Sequence, residues 1–508
     1  MYQTWSFPQE KVYVSTDRSA YVTGDTIRFR AFLVDASRHI TPQLRSKYIY
    51  IELLNSFGQK VERLKVKEFD GMYVGILPIE DDLPEGNYTL CGYTQFMQNS
   101  GKDYFFRKTV PIFSQLANKY KLETMVKDGY LKVSLMDRFT GHPVRVENIS
   151  IIGPESQFYA HGIKKRSSYS IRITNEMVKT GSVNVKFDKY EKFVPIPGDT
   201  VSLSLTIHPE GGYLIPGVKN KIAFKGIDKK GLSANYLGSI VDDENNHIID
   251  LVSEHRGMGM VEFVPETSRR YFAVVNQLQV PLPLPDSEAT ILAIDYIGKD
   301  SIDVQVIGRI RDDLNLIAHN GGIVTFAEKM KKQSLRLNRH ELGSGIVQFF
   351  LVNDKCNILS SRMIFNRNGY IFSTSVESMP TGDYTVKAFR DFKTDSTTSI
   401  VSNLLLQSEL KGYIEDPDYY FRNNDDLVDH HLDLLMLTQG WERYDYASAL
   451  KGEFRSPEIA LEIGGEISGT VKSRWRSKPL SNAIVMLIAP SINYAEQVYT
   501  DKEGRFVF

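Results

Sequence analysis

Along most of the chain, apolar side chains alternate with polar ones at a period of two, the pattern of strands with one buried face. In Val12 to Asp35, VYVSTDRSAYVTGDTIRFRAFLVD, Val12 and Val14 alternate with polar neighbours and Thr23-Gly24-Asp25 is a turn cluster. Ile27, Phe29, Ala31 and Leu33 then share one face while Arg28 and Arg30 take the other, which predicts two strands joined by a turn. The alternation returns cleanly in Tyr48 to Leu54, and Leu131 to Leu135, Val144 to Ile152, Asp303 to Ile307 and Gly345 to Leu351 also read as strands. Turn chemistry separates these runs. Leu83-Pro-Glu-Gly-Asn-Tyr88 places a short turn before a strand whose tyrosine points inward, and Met379-Pro-Thr-Gly-Asp-Tyr384 repeats it. Ile207-His-Pro-Glu-Gly-Gly-Tyr-Leu214 again sets a glycine and a tyrosine ahead of a strand. The proline-rich stretches at 194–198 and 281–285 read as linkers.

One region breaks the period. Between about 403 and 450, Asn423-Asn-Asp-Asp426 can cap a helix in which Leu427, Val428, Leu432, Leu435 and Met436 form an apolar stripe. From about 463 the reading returns to β, with Ile467 to Val471, Ile484 to Ala489 and Tyr499 to Phe506.

These boundaries divide the chain into β-sandwich units at 1–115, 116–197, 199–285 and 286–373. A short β unit with the helical segment follows at 374–455, then a partial β domain at 463–508. A length of 508 residues requires several cores, and 42% hydrophobic residues with 27 Tyr and 27 Phe argue for folded β-structure. A formal net charge of -1 gives no whole-chain attraction to nucleic acid or an anionic membrane. The two cysteines, Cys91 and Cys356, are too few and too far apart for a disulfide framework or a thiol-rich metal site, and each reads as a buried, inert thiol. No apolar run has the length of a membrane-spanning helix, and no secretion signal is visible at the N-terminus.

Thr16-Asp17-Arg18, Tyr21, Gly24-Asp25 and Phe29, followed by Ala31-Phe-Leu-Val-Asp35, resemble the second domain of alpha-2-macroglobulin-like proteins, in the version found in large cell-envelope proteins of Bacteroidetes. Pro209-Glu-Gly-Gly212, Ser253-Glu-His255 with Gly257-Met-Gly259, and Leu432 to Asp445 are similar to the same proteins. The C-terminal pattern, with Asp501, Gly504 and Phe506, resembles a carboxypeptidase regulatory-like (transthyretin-like) domain. The resemblance implies tandem macroglobulin-like sandwiches, export to the periplasm or outer membrane, and a protein partner in a TonB-dependent transport system. It also implies a chain that continues past Phe508, halfway through its last domain, into a receptor plug.

Candidate chemistry is sparse. Asp426, Asp429, His430 and Asp433 lie on one helical face, where oxygen and imidazole ligands could meet a cation. A solvated polar face opposite the apolar stripe accounts for them more simply. His431 lies nearer the apolar side and reads as an interior histidine. Lys329, Lys331, Lys332, Arg336, Arg339 and His340 could attract phosphate or lipid headgroups, but with Leu335 and Leu337 alternating they read as charges that discourage edge pairing, as do Lys164-Lys-Arg166. Nucleophile-elbow, phosphate-loop and His-Glu-x-x-His motifs are absent, and Cys91-Gly-Tyr-Thr is not the macroglobulin thioester. Trp441 and Trp475 are the aromatics to inspect. The expectation is a non-catalytic envelope recognition or scaffold protein without cofactor or catalytic residues. The alternatives are an adhesin-like module binding a carbohydrate or protein and, less favoured, a protease-inhibitor-like macroglobulin without a thioester.

Overall fold

The computed structural model describes residues 9–197, 203–228, 231–367, 398–410, 412–440, 446–453, 456–464, 467–473, 477–489 and 494–508. Its main body is one topology repeated four times. In each unit the first, second and fifth strands form one sheet, and the fourth, third, sixth and seventh form the other. In the second unit these are Tyr120–Lys127, Tyr130–Asp137 and Ser168–Arg172 facing Phe158–Arg166, Val146–Ile152, Ser182–Phe187 and Tyr190–Pro195. The third unit runs from Leu203–Pro209 to Leu278–Pro281 and the fourth from Thr290–Ile297 to Ile358–Asn366. The first unit adds a short strand, Tyr21–Val22, parallel to Phe106–Phe113. Compared with a constant-type immunoglobulin sandwich, the fourth strand has moved to the opposite sheet.

Each sandwich closes over its own apolar core because the period-two faces turn inward. Val12, Val14, Ile27, Phe29, Ala31 and Leu33 are all buried in the first unit, as the opening pattern predicts. The motif residues beside them staple the first two strands. Asp17 accepts from the Tyr21 hydroxyl and the Arg28 amide, and Asp25 accepts from the Val22 amide and Arg18. Tyr88, fully buried at the start of the sixth strand Gly86–Tyr93, donates its hydroxyl to the Pro84 carbonyl at 2.7 Å. The third unit carries the same device, since Tyr271 accepts from the Glu266 amide at 2.8 Å. Tyr88→Phe is expected to cost about 1 kcal/mol in chemical denaturation, the net worth of one such bond, with little change in slope. A neutral result would show that the corner is held by packing alone.

A short helix, Asn175–Thr180, lies within the second unit, and the other α-helices follow the last strand of the fourth. Short helices at Ile400–Ser402 and Tyr419–Arg422 precede the longest, Asp426–Thr438, and Tyr446–Leu450 follows it. Asp425 caps the long helix by accepting from the Val428 amide at 2.9 Å. At the C-terminus, Ser468–Thr470 pairs with Arg505–Val507 and Ile484–Ala489 with Tyr494–Tyr499, giving two two-stranded sheets. No helix among the described residues is long and apolar enough to cross a membrane, which says nothing of a β-barrel.

Several expectations change. Tyr213 is exposed, and Leu214 beside it fills the core, because the Pro-Glu-Gly-Gly turn lies between the first and second strands of its unit rather than before the sixth. Leu427, expected in the helix stripe, is 62% exposed, whereas Leu434 is buried. Cys91 is buried and its thiol is pushed up to about 11 by that burial, but Cys356 is only partly buried, in a turn with positive φ. The repeat at Met379 to Tyr384 and the tryptophans Trp441 and Trp475 lie outside the described residues.

Candidate functional site: a buried charge joint between units

Arg362, on the last strand of the fourth unit, is the centre of the most heavily buried ionic cluster among the described residues. Its side chain is 2% exposed and meets two carboxylates, Glu210 (4%) and Asp433 (14%). Nε donates to Glu210 Oε1 at 2.6 Å, and Nη2 donates to both oxygens of Asp433 at 2.9 Å. Burial opposes the charge of Arg362, but Asp433 and Glu210 more than offset it, so its pKa lies above the ordinary value. Tyr296 donates its hydroxyl to Asp433 at 3.0 Å, and burial followed by that carboxylate raises its pKa well above ten.

The three ions come from three elements. Glu210 belongs to the Pro-Glu-Gly-Gly turn of the third unit, Arg362 to the fourth unit, and Asp433 to the helix lying across both. Around them, Ser360 accepts from the Leu292 amide at 2.9 Å and donates to the Gly211 carbonyl at 2.8 Å. Gly211 has φ +74°, and a Cβ there would stand 2.7 Å from Ile291 Cβ and 2.9 Å from the Leu292 carbonyl oxygen. Only glycine allows the two units to approach so closely.

A second Pro-Glu-Gly turn, at residues 84–86, builds the joint between the first and second units in the same way. Glu85 is buried, accepts from Lys192 at 2.6 Å and from the Tyr190 hydroxyl at 3.1 Å, and Phe193 enters the first unit's core. The first unit is also tied to the helical segment by the Lys11–Glu409 ion pair. It is tied to segment 457–464 through Asn99, which accepts from the amides of Glu458 and Ile459, and through Tyr50 and Lys65, which both donate to Glu462.

The four proposed cation ligands do not share a ligand. Asp433 is consumed by Arg362 and Tyr296, Asp429 pairs with Arg367 at 2.7 Å, and His430 pairs with Glu254 at 2.6 Å. Asp426 is exposed, in the first turn. Among the described residues no group of three His, Cys, Asp or Glu side chains converges as a metal site would require. The face expected to be solvated is instead docked, because the helix lies between two sandwiches and meets protein on both sides. Its buried Val428, Leu432, Leu435 and Met436 follow the predicted spacing.

His431 is buried, as expected. It stacks on His255 of the third unit with ring centroids 4.1 Å apart, and its Nδ1 bonds the Tyr419 hydroxyl at 2.7 Å. Burial, the neighbouring His431 and Arg256 lower the His255 pKa to about 3, and burial lowers that of His431 too. Both rings therefore pack as neutral groups. An unfolded histidine titrates near ~6.5, so the unfolded state binds protons first and this contact loses stability as pH falls through that value. His255→Phe keeps the stack and removes the titration. Its melting temperature should fall less than that of the unsubstituted protein between pH 7 and pH 4.5; equal falls would refute the assignment.

The basic run is dispersed among neighbours. Arg336 forks onto Asp303 with two 2.7 Å bonds, Lys329 faces Asp354, and His340 faces Asp300. Arg339 is buried and donates to the Phe365 and Lys299 carbonyls. Lys329 and Arg336 do lie on edge strands. Sequence reasoning missed Arg362, Glu210, Glu85 and Tyr296. The shared Pro-Glu-Gly was the available signal.

No family model matches the chain, and no curated protein matches it significantly. Solved structures give distant similarities. Salmonella alpha-2-macroglobulin reacted with methylamine is 10% identical over 73% of this chain and 30% of that one, with a TM-score of 0.27. The native conformation of the Escherichia coli alpha-2-macroglobulin is 10% identical over 71% and 29%, with a TM-score of 0.27. FdeC, an Escherichia coli adhesin, is 13% identical over 55% of this chain and 97% of that one, with a TM-score of 0.21. The chain thus spans under a third of the length of these two macroglobulins. The tandem-sandwich architecture of this protein rests on its own sheets.

Proposed function

We propose that this chain is a non-catalytic recognition and scaffold protein of the bacterial cell envelope, forming the extracytoplasmic part of a TonB-dependent receptor-like outer-membrane protein. The observation that carries the scaffold reading is the joinery. The first and second units meet through Glu85–Lys192, and the third and fourth through Glu210–Arg362–Asp433, with a glycine at each contact. Such joints hold neighbouring sandwiches in fixed register and present their loops and edges to a partner. The envelope location and the TonB partner are supported by the sequence resemblances at 10–95, 205–265 and 405–508.

Mass and membrane fractionation of the native product tests the assignment. The expected result is a product longer than 508 residues in the outer-membrane fraction. A cytosolic product ending at Phe508 would overturn both location and partner.

A further inference from the structure

We propose that the outer face of the three-stranded sheet in the second unit binds an acidic polysaccharide. The inference goes beyond the scaffold reading and does not depend on it. Residues 116–197 carry 14 Lys and Arg against eight Asp and Glu, a net of +6 in a chain whose formal net charge is -1. Part of that excess is gathered on one surface by strand register.

Lys127 and Tyr130 close the hairpin around Asp128-Gly129, whose φ values of +51° and +75° suit a tight two-residue turn. Tyr130 pairs on its other side with Arg172, so Lys127, Tyr130 and Arg172 form one row across three strands. The next row on the same face is Met125, Lys132 and Ser170. All six side chains are exposed, with Tyr130 at 50% and Met125 at 52%. Beneath them Leu131 and Val133 point into the core, which fixes the outward direction of Tyr130 and Lys132.

Lys127, Lys132 and Arg172 have no ion-pair partner among the described residues. Asp128 is the carboxylate at the hairpin tip, and further along the face Glu123 is already paired with Lys121 at 3.1 Å. Three uncompensated cations surrounding an exposed aromatic ring on a flat sheet suit a chain of sugar rings carrying carboxylates. The ring stacks on a sugar face, the cations meet the carboxylates, and Ser170 offers a hydroxyl. Adjacent strands lie about 4.8 Å apart, the scale of one sugar residue. A lipid surface fits less well, since Met125 and Tyr130 are the only apolar groups in these two rows and neither row presents a contiguous apolar patch to insert.

Oligogalacturonate of ten residues is the probe, titrated into the full chain by calorimetry at low and moderate salt, with neutral dextran and oligo-dT as comparisons. Binding to oligogalacturonate but not dextran is expected, weakening as salt rises. The triple variant K127A/K132A/R172A should weaken binding at least about tenfold and flatten the salt dependence. Tyr130→Ala should weaken it about threefold or more without changing the salt slope. The control K164A/K165A/R166A, on an edge strand of the opposite sheet, should retain binding. All these positions are exposed, so unchanged melting temperatures will show that each variant is folded. Equal affinity for oligo-dT or dextran, an unaffected triple variant, or an equal loss in the control would each overturn the proposal.

Discussion

Replacing Arg362 with alanine is expected to destabilise the protein by about 3–5 kcal/mol, because Asp433 would remain largely buried with no cation beside it and Glu210 would keep only Lys221, 3.5 Å away. The damage should be local at first. The fourth unit keeps its own core of Leu292, Ile302, Leu316 and Phe349, so its sandwich can persist while the helix and the third unit detach. Hydrogen exchange should therefore show lost protection in Asp426–Thr438 and around Glu210–Gly212 at denaturant concentrations where the sandwich strands remain protected. A triple replacement, R362M with E210L and D433L, should recover much of the loss, since an apolar trio has no charge to desolvate and Lys221 keeps Asp295 as a partner. A small effect for R362A alone would mean that water reaches the two carboxylates and that the joint is weaker than its geometry implies.

Gly211→Ala should cost about 2–4 kcal/mol at the same joint, combining left-handed backbone strain with overpacking against Ile291 and Leu292. The substitution removes no charge and no hydrogen-bonding group. If closeness of approach is what the glycine supplies, the Gly211→Ala and Arg362→Ala losses will be less than additive, because once the units have separated the second change meets no further contact. Full additivity in a double-mutant cycle would show that the turn and the ion pair act independently. Gly86 offers a milder comparison. A Cβ there would meet Phe193 at 2.9 Å, a side chain that can shift, so Gly86→Ala should cost less than Gly211→Ala.

The sandwich class was legible because alternation is a property of each strand by itself. Ile27, Phe29, Ala31 and Leu33 had one buried face available, whatever strand they paired with, and they are buried in the structure. The helix was legible for the same reason, since the spacing of Val428, Leu432, Leu435 and Met436 marks one face. The fate of its other face was not. Asp429, His430 and Asp433 look alike in sequence whether they face water, a cation or a neighbouring arginine.

Sequence alone placed local features: strand and turn positions, the buried Tyr88 ahead of its strand, and a helix cap within Asn423 to Asp426, found at Asp425. These depend on backbone preference and on side chains within a few residues of one another. Long-range contacts were set by the packing of distant segments. Arg362 lies 152 positions from Glu210 and 71 from Asp433. Lys127, Tyr130 and Arg172 become neighbours only through strand register. A buried charge is stable only beside a partner that can lie anywhere in the chain. The docking of one unit against the next supplies that partner, and periodicity carries no record of it.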